Sequence, residues 1–181
     1  MAFATPSELG DLLNVAIADE DTRAQQLLDL ATDAICAEIG QAIVEVSDDS
    51  LALRGNGTRV LILPEIPVTE VASVELDGEA LVEDTDYTWS AAGVLRRLGG
   101  DVWTQDAPIT VVYSHGYETV PKVVRLVCLQ AAARAWLNPA GATQETIGSY
   151  SVTYGGGFSS KSSTGVLLTS DEKRILDPVR P

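Results

Sequence analysis

From Val120 to Leu137 the chain reads as one helix with almost no polar side. Pro121 suits its first turn. Lys122, Arg125, Gln130 and Arg134 are its only polar members, and they do not share one stripe. A helix that is apolar nearly all round has to be covered on most of its sides. Two helices nearer the N-terminus and a small sheet supply part of that cover. A neighbouring copy of the chain is expected to supply the rest.

The N-terminal helices have legible starts. Thr5-Pro6-Ser7-Glu8 combines a capping hydroxyl, a proline at the first helical position and a glutamate that completes a capping box, and predicts a short helix to about Leu13. Asp19-Glu20-Asp21-Thr22 opens a second, with negative charge at the positive end of the helix dipole. Leu27, Leu28, Ala31, Ala34, Ile35 and Ile39 recur at helical spacing on one face. Gln26, Asp29 and Asp33 lie opposite, and Gly40 ends the segment.

The texture changes at Ala42. Short runs of period two follow as far as Ser114, including Leu51-Ala-Leu53, Arg59-Val-Leu-Ile-Leu63, Val71-Ala-Ser-Val-Glu-Leu76, Asp86-Tyr-Thr-Trp89, Val94-Leu-Arg-Arg-Leu98 and Ile109-Thr-Val-Val-Tyr113. Asp77-Gly78 between two such runs marks a two-residue hairpin. Pro64 and Pro67 confine their segment to an edge or a connection. The block reads as about six or seven antiparallel strands. Trp89, Trp103, Tyr87, Tyr113 and Tyr117 alternate with polar residues there, which places them on a sheet face packed against helices rather than on a stacking platform.

Beyond Asn138-Pro139-Ala140-Gly141 the chain stops resembling a self-contained domain. Ile147 to Tyr154 is an alternating strand without an obvious neighbour, and Gly155 to Gly165 is a Gly/Ser-rich tether. Such a tether reaches roughly 17–20 Å on average. It carries a short amphipathic end, where Ser170 is expected to cap a helix from Asp171 and Pro178 to end it. An arm of this kind is expected to dock on another protein and to be mobile in the free subunit. Tyr150, Val152 and Tyr154 would act by strand addition, and Leu167, Leu168, Ile175, Leu176 and Val179 by filling an apolar groove, with Arg180 a further partner contact. The expected fold is α+β: a small helical bundle, an inserted antiparallel β subdomain and an extended C-terminal arm. The parts are residues 1–41, 42–117, 118–142 and 143–181.

Charge narrows the function classes. The net charge is −14, and residues 1–53 hold eleven acids against one base, Arg23. That balance opposes tight binding to nucleic acid phosphates. No run of 18 apolar residues predicts a membrane span. The N-terminus lacks a basic region followed by an apolar stretch, so the chain is expected to begin in the cytoplasm.

Little points to chemistry, and no enzyme activity and no cofactor are expected. His115, the only histidine, sits by Gly116 and reads as a turn residue rather than a general base. No GxSxG elbow accompanies the serines. One histidine and two separated cysteines, Cys36 and Cys128, do not make a closed metal ligand set, and both cysteines read as small core residues. Glu83-Asp84-Asp86 lacks the glycine and spacing of a calcium loop and reads as a solvated turn. The run Gly155 to Ser162 approaches a phosphate loop, but Ser160 stands where a glycine is required.

The ordered set of segments resembles one family, the head-to-tail connector proteins of long-tailed double-stranded DNA phages, also called adaptor or head-completion proteins. The resemblance rests on Phe3-Ala-Thr-Pro-Ser-Glu-Leu-Gly-Asp-Leu-Leu13, Leu61-Ile-Leu-Pro-Glu-Ile-Pro-Val68, Val74-Glu-Leu-Asp-Gly78, Asp86-Tyr-Thr-Trp89 and Ile109 to Tyr117. It continues through Pro121 to Trp136, Ile147 to Tyr154 and Glu172 to Arg180. It implies a virion structural protein in the neck, assembled in the host cytoplasm. Copies would form a ring, usually of twelve, under the portal protein, extending the DNA channel and presenting a surface to a stopper or tail-completion protein. The Gly155–Gly165 linker is richer in Gly and Ser than the family pattern.

Within that reading Lys122, Arg125, Leu129, Arg134 and Trp136 are candidate ring-interface residues, and Asp29 and Asp33 face the channel or the bases of an adjoining copy. DNA would pass without specific binding, and no membrane is involved. The competing readings are another neck or tail component (a stopper or tail terminator), a β-rich module that binds a protein or glycan, and a hydrolase built on His115.

Overall fold

The computed structural model describes residues 2–138, 144–147, 150–153 and 166–180; for 144–147 and 150–153 it describes the backbone only. The fold is mixed α+β, and no described helix is long and apolar enough to cross a membrane. The chain divides into two units. One is Met1–Gly40 with Val120–Val179, and the other is Gln41–Thr119 with Arg180–Pro181.

The first unit is built on helices whose ends are set by local hydrogen bonds. Helix α1 spans Pro6–Leu13. The Thr5 hydroxyl accepts from the Glu8 N–H, and the Glu8 carboxylate accepts from the Thr5 N–H at 2.9 Å, a reciprocal cap. Helix α2 spans Thr22–Ile39. Asp21 caps it by accepting from the Ala24 N–H at 2.8 Å, and Gly40 closes it in the left-handed conformation at φ 82°. Helix α3 spans Lys122–Leu137, and α4 spans Ser170–Leu176 followed by a 3-10 turn at Asp177–Val179. The cap of α4 is Thr169, one residue before the expected Ser170, with Glu172 completing a second capping box.

Helix α3 is the hub of this unit, touching α1, α2 and α4. Its buried residues are Val124, Val127, Cys128, Ala131, Ala132, Ala133 and Ala135. Opposite them α2 buries Ala24, Leu28, Ala31 and Ile35, and α1 buries Leu9. The alanines on both sides let the backbones approach closely, so the small side chains still fill the space at interior density. The strand expected from Ile147 to Tyr154 is present as β9 (Tyr150–Thr153), and it has a partner just before it in the chain. Strand β8 (Gln144–Ile147) pairs antiparallel with β9, so one backbone edge of β9 is satisfied by the segment just before it.

The second unit holds seven strands in chain order: β1 (Val46–Arg54), β2 (Val60–Ile62), β3 (Val68–Leu76), β4 (Glu79–Leu81), β5 (Tyr87–Trp89), β6 (Val94–Arg97) and β7 (Pro108–His115). They form two antiparallel sheets, ordered β1-β7-β3-β4 and β2-β6-β5. Asp77 and Gly78 make the β3–β4 turn, both at positive φ, which fits a type I′ hairpin. Pro64 and Pro67 fall in the connection between β2 and β3.

The core of this unit is Leu61, Leu63, Val68, Val71, Val74, Tyr87, Leu95, Trp103, Ile109, Val111 and Tyr113. Tyr87, Trp103 and Tyr113 are members of this core, within the strand unit itself. Both small sheets contribute inward-facing residues to it, which is how two alternating sheets share one core. Gly55 follows β1 at a place where a side chain does not fit. A Cβ there would lie 1.9 Å from the Thr104 carbonyl oxygen. Gly55→Ala is expected to lower stability by roughly 1–3 kcal/mol, as overpacked sites do. Denaturant unfolding of the two proteins checks this; equal midpoints would mean the approach is looser than described.

Candidate functional site

The C-terminal segment is not the free arm that its sequence predicts. Its terminal part is folded on α3 of the same chain. The Arg134 guanidinium grips the Glu172 carboxylate with two parallel hydrogen bonds, Nη1 to Oε1 at 2.6 Å and Nη2 to Oε2 at 3.1 Å, and also donates to the Leu167 carbonyl at 2.9 Å. Lys173 pairs with Glu38 of α2. Leu176 is 0% exposed and Val179 is buried, so two of the expected docking residues serve the chain's own core. The amphipathic end finds its groove intramolecularly because α3 has apolar surface left after α1 and α2 have packed. Leu167 (52% exposed) and Ile175 remain on the outside, with Leu168 and Arg180 partly buried. Tyr150 and Val152 lie on β9. Tyr154 and the tether 155–165 lie outside the described residues.

The candidate interface residues of α3 are also largely engaged within the chain. Arg125 pairs with Glu8 at 3.3 Å. Trp136 is covered by Arg23, whose guanidinium carbon stands 4.4 Å from the ring centroid and whose Nη2 donates to the Trp136 carbonyl at 3.0 Å. Leu129 is partly buried and Lys122 is exposed. Among the described residues Lys122 makes no ion pair.

What α3 leaves open is a different set. Val123, Leu126 and Leu137 are 38%, 44% and 66% exposed. With exposed Gln130 they fall on one stripe, because the spacings 3, 7 and 14 return to nearly the same angle on a helix. The signal was present in the sequence as that spacing. It was hidden because every other side of α3 is apolar too. Asp29, Asp33 and Gln26 are exposed on α2, interleaved with exposed Leu30.

No family model matches the chain, and no curated protein matches it. Among solved structures it is similar to a chain in the neck of an empty GTA particle computed with C6 symmetry, at 18% identity and TM-score 0.45, covering 68% of this chain and 74% of that one. It is similar to a chain in the virion of a native gene transfer agent (GTA) particle, at 19% identity and TM-score 0.47, covering 68% and 75%. It is similar to a chain in the neck of a native GTA particle computed with C12 symmetry, at 18% identity and TM-score 0.44, covering 70% and 75%. Likeness at this level assigns no function to the chain.

In the β-rich unit His115 is not a turn residue. It is the last residue of β7 and is 1% exposed, with the Glu65 Oε2 at 2.7 Å and the Asp49 Oδ2 at 3.6 Å from its Nε2. Period-two alternation carries it there: Ile109, Val111, Tyr113 and His115 share the inward face of β7. The two cysteines are free. Cys128 is buried, while Cys36 is only partly so. Burial raises both thiols, Cys36 further through the nearby Asp33 charge. Glu83 and Asp86 bracket a turn between β4 and β5, accepting from the Trp89 indole at 2.6 Å and the Val82 N–H at 2.8 Å.

Burial pushes the Glu172 carboxyl upward, but the Arg134 and Thr169 hydrogen bonds outweigh it, and the net effect holds the group below its ordinary 4.5. A carboxyl lowered in the folded state contributes stability that is present above its unfolded value and lost as pH falls through the folded one. The docking of α4 is therefore expected to weaken below about pH 4.5. Arg134→Leu leaves a buried carboxylate without its partner and should cost about 1.5–3 kcal/mol at neutral pH. Thermal melts of both proteins between pH 3 and pH 7 check this. Curves that stay parallel over the whole range would contradict the pairing.

Proposed function

We propose that this chain is a structural subunit of a phage-like virion neck, forming a ring between the portal vertex and the tail or stopper through which double-stranded DNA passes. The observation that carries the reading is the stripe of Val123, Leu126 and Leu137 on a helix whose other sides the chain itself covers. Three apolar side chains aligned on an exposed helix face form a surface that a second copy can bury, in line with the connector resemblance of the sequence. The stripe takes over the interface role first given to Leu129, Arg125, Arg134 and Trp136. Lys122 at its start is the base left for the acids Asp29 and Asp33 of an adjoining copy. Exposed pairs of that kind contribute only about 0–1 kcal/mol each, so the apolar contact would dominate.

In this reading twelve copies close the ring, α2 turns acid toward the channel, and Leu167, Ile175 and the free edge of the β8–β9 hairpin, with Tyr150, Val152 and Tyr154, meet portal or stopper. Acid along the channel keeps DNA mobile, since no phosphate contact is made that would release counterions. Light scattering over a concentration series should show the full chain assembling, with portal protein promoting it. Leu126→Glu should remain folded, within about 0.5 kcal/mol of the parent because its site is exposed, yet stay monomeric. A parent chain that is monomeric at every concentration and indifferent to portal would overturn the reading. The double reversal Asp29→Lys and Asp33→Lys should leave the melting curve unchanged and create retention of duplex DNA at low salt where the parent shows none. Retention by the parent itself would contradict the sliding channel.

A further inference from the structure

The geometry points to a divalent-cation site in the β-rich unit, made by Asp49, Glu65 and His115 and suited to zinc or a similar first-row ion. The three residues come from separate stretches of chain. Asp49 stands opposite Tyr113 in the β1–β7 register and shares the alternation of Leu51 and Leu53, which line the core. A bulge between Val46 and Asp49, with Asp48 at φ 52°, sets that phase. Glu65 belongs to the connection from β2 to β3, held where the Ile66 N–H donates to the Gln41 side chain at 2.8 Å. His115 continues the inward row of β7 past Tyr113, whose ring lies 5.0 Å from its own. The inward face of the sheet thus changes from apolar to ligand-bearing at one end.

The donor atoms of the three side chains lie within 4.8 Å of one another. The imidazole is buried, and neither of its nitrogens has a hydrogen-bond partner. Glu65 lies close to Nε2 without the geometry of a donated hydrogen bond. Among the described residues no Lys or Arg pairs with either carboxylate. Two carboxylates facing a buried ring nitrogen are short of positive charge, and a divalent ion supplies it while accepting the nitrogen lone pair. One imidazole and two carboxylates suit zinc and its first-row neighbours.

Ligands at about 2.0–2.2 Å from a tetrahedral ion stand about 3.3–3.6 Å apart. The Asp49 contact at 3.6 Å is near that spacing, and the Glu65 contact at 2.7 Å has to open. Glu65 is partly exposed and has the freedom to do so. Solvent takes the remaining position. Metal-bound histidines usually donate their second nitrogen to a partner. That partner is missing here, so the site is weak and exchangeable. Its effect is to tie β1, β7 and the β2–β3 connection together, raising the stability of the unit in proportion to ion occupancy.

His115 is the only histidine in the chain, so its ring nitrogens are identified without ambiguity by NMR. Chelator-treated full chain, free of affinity tag, is titrated with zinc chloride at neutral pH. The expected result is a shift of the Nε2 signal together with a rise in melting temperature. Glu65→Gln and Asp49→Asn change partly exposed residues, should fold without zinc, and should bind it about tenfold or more weakly. An Nε2 signal indifferent to zinc overturns the site, and so does a folded variant that keeps the parent's affinity. If one variant fails to fold, the other decides, and the parent's ring signal decides alone if both fail.

Discussion

A helix with no polar side cannot be left in water, and most of the first unit follows from satisfying α3. Leu9 of α1 and the Ala24, Leu28, Ala31 and Ile35 row of α2 are 0% exposed alongside it. Alanines on both helices let the backbones come close. A third side goes to the C-terminal segment, where Leu176 is buried and Arg134 finds the Glu172 carboxylate. That pair answers a specific problem. Arg134 sits near the end of an otherwise apolar helix, and a guanidinium half-sunk in such a surface needs a planar, charged acceptor. Glu172 supplies it from a residue that also completes the cap of α4, so one carboxylate both starts the helix and docks it.

The same helix explains why a C-terminal segment that looks like a free arm is not one. Its apolar residues divide by face. Leu176 and Val179 go inward, and Leu167 and Ile175 stay outside. A segment with two usable faces can hold to its own subunit and still offer a surface to a partner, which a single-faced docking peptide cannot do. The stripe of Val123, Leu126 and Leu137 is then the apolar face of α3 that the described residues leave open.

Local signals carried much of the fold into the sequence. The Thr5–Glu8 box, Asp21 with Gly40, and Asp77-Gly78 each act over a few residues, and each element begins or turns where those residues stand. Long-range pairing was less legible. Arg134 and Glu172 are 38 residues apart, and nothing near either names the other. β9 lies within the expected strand from Ile147 to Tyr154, but its partner β8 was not legible, because Gln144, Glu145 and Thr146 are three polar residues in a row with no alternation to mark a strand. His115 was read as a turn because Gly116 follows it. The row Ile109, Val111, Tyr113, His115 was the better guide, since period two places a fourth residue on the face of the other three. The two carboxylates beside it came from strand register and a loop, which composition does not encode. The exposed stripe was obscured for the opposite reason: an all-apolar helix offers no contrast from which to pick a face.

Residue-resolved carbene footprinting of dilute and concentrated protein tests the account of α3 most directly. In dilute protein Val127, Ala131 and Leu176 should be protected, while Val123, Leu126 and Leu137 label freely. On assembly the second group should become protected and the first should not change. Labelling of Val127 or Leu176 in the dilute protein would contradict the cover that the chain gives its own helix. A stripe that labels equally in both samples, with assembly confirmed by mass, would contradict its role as the contact between copies.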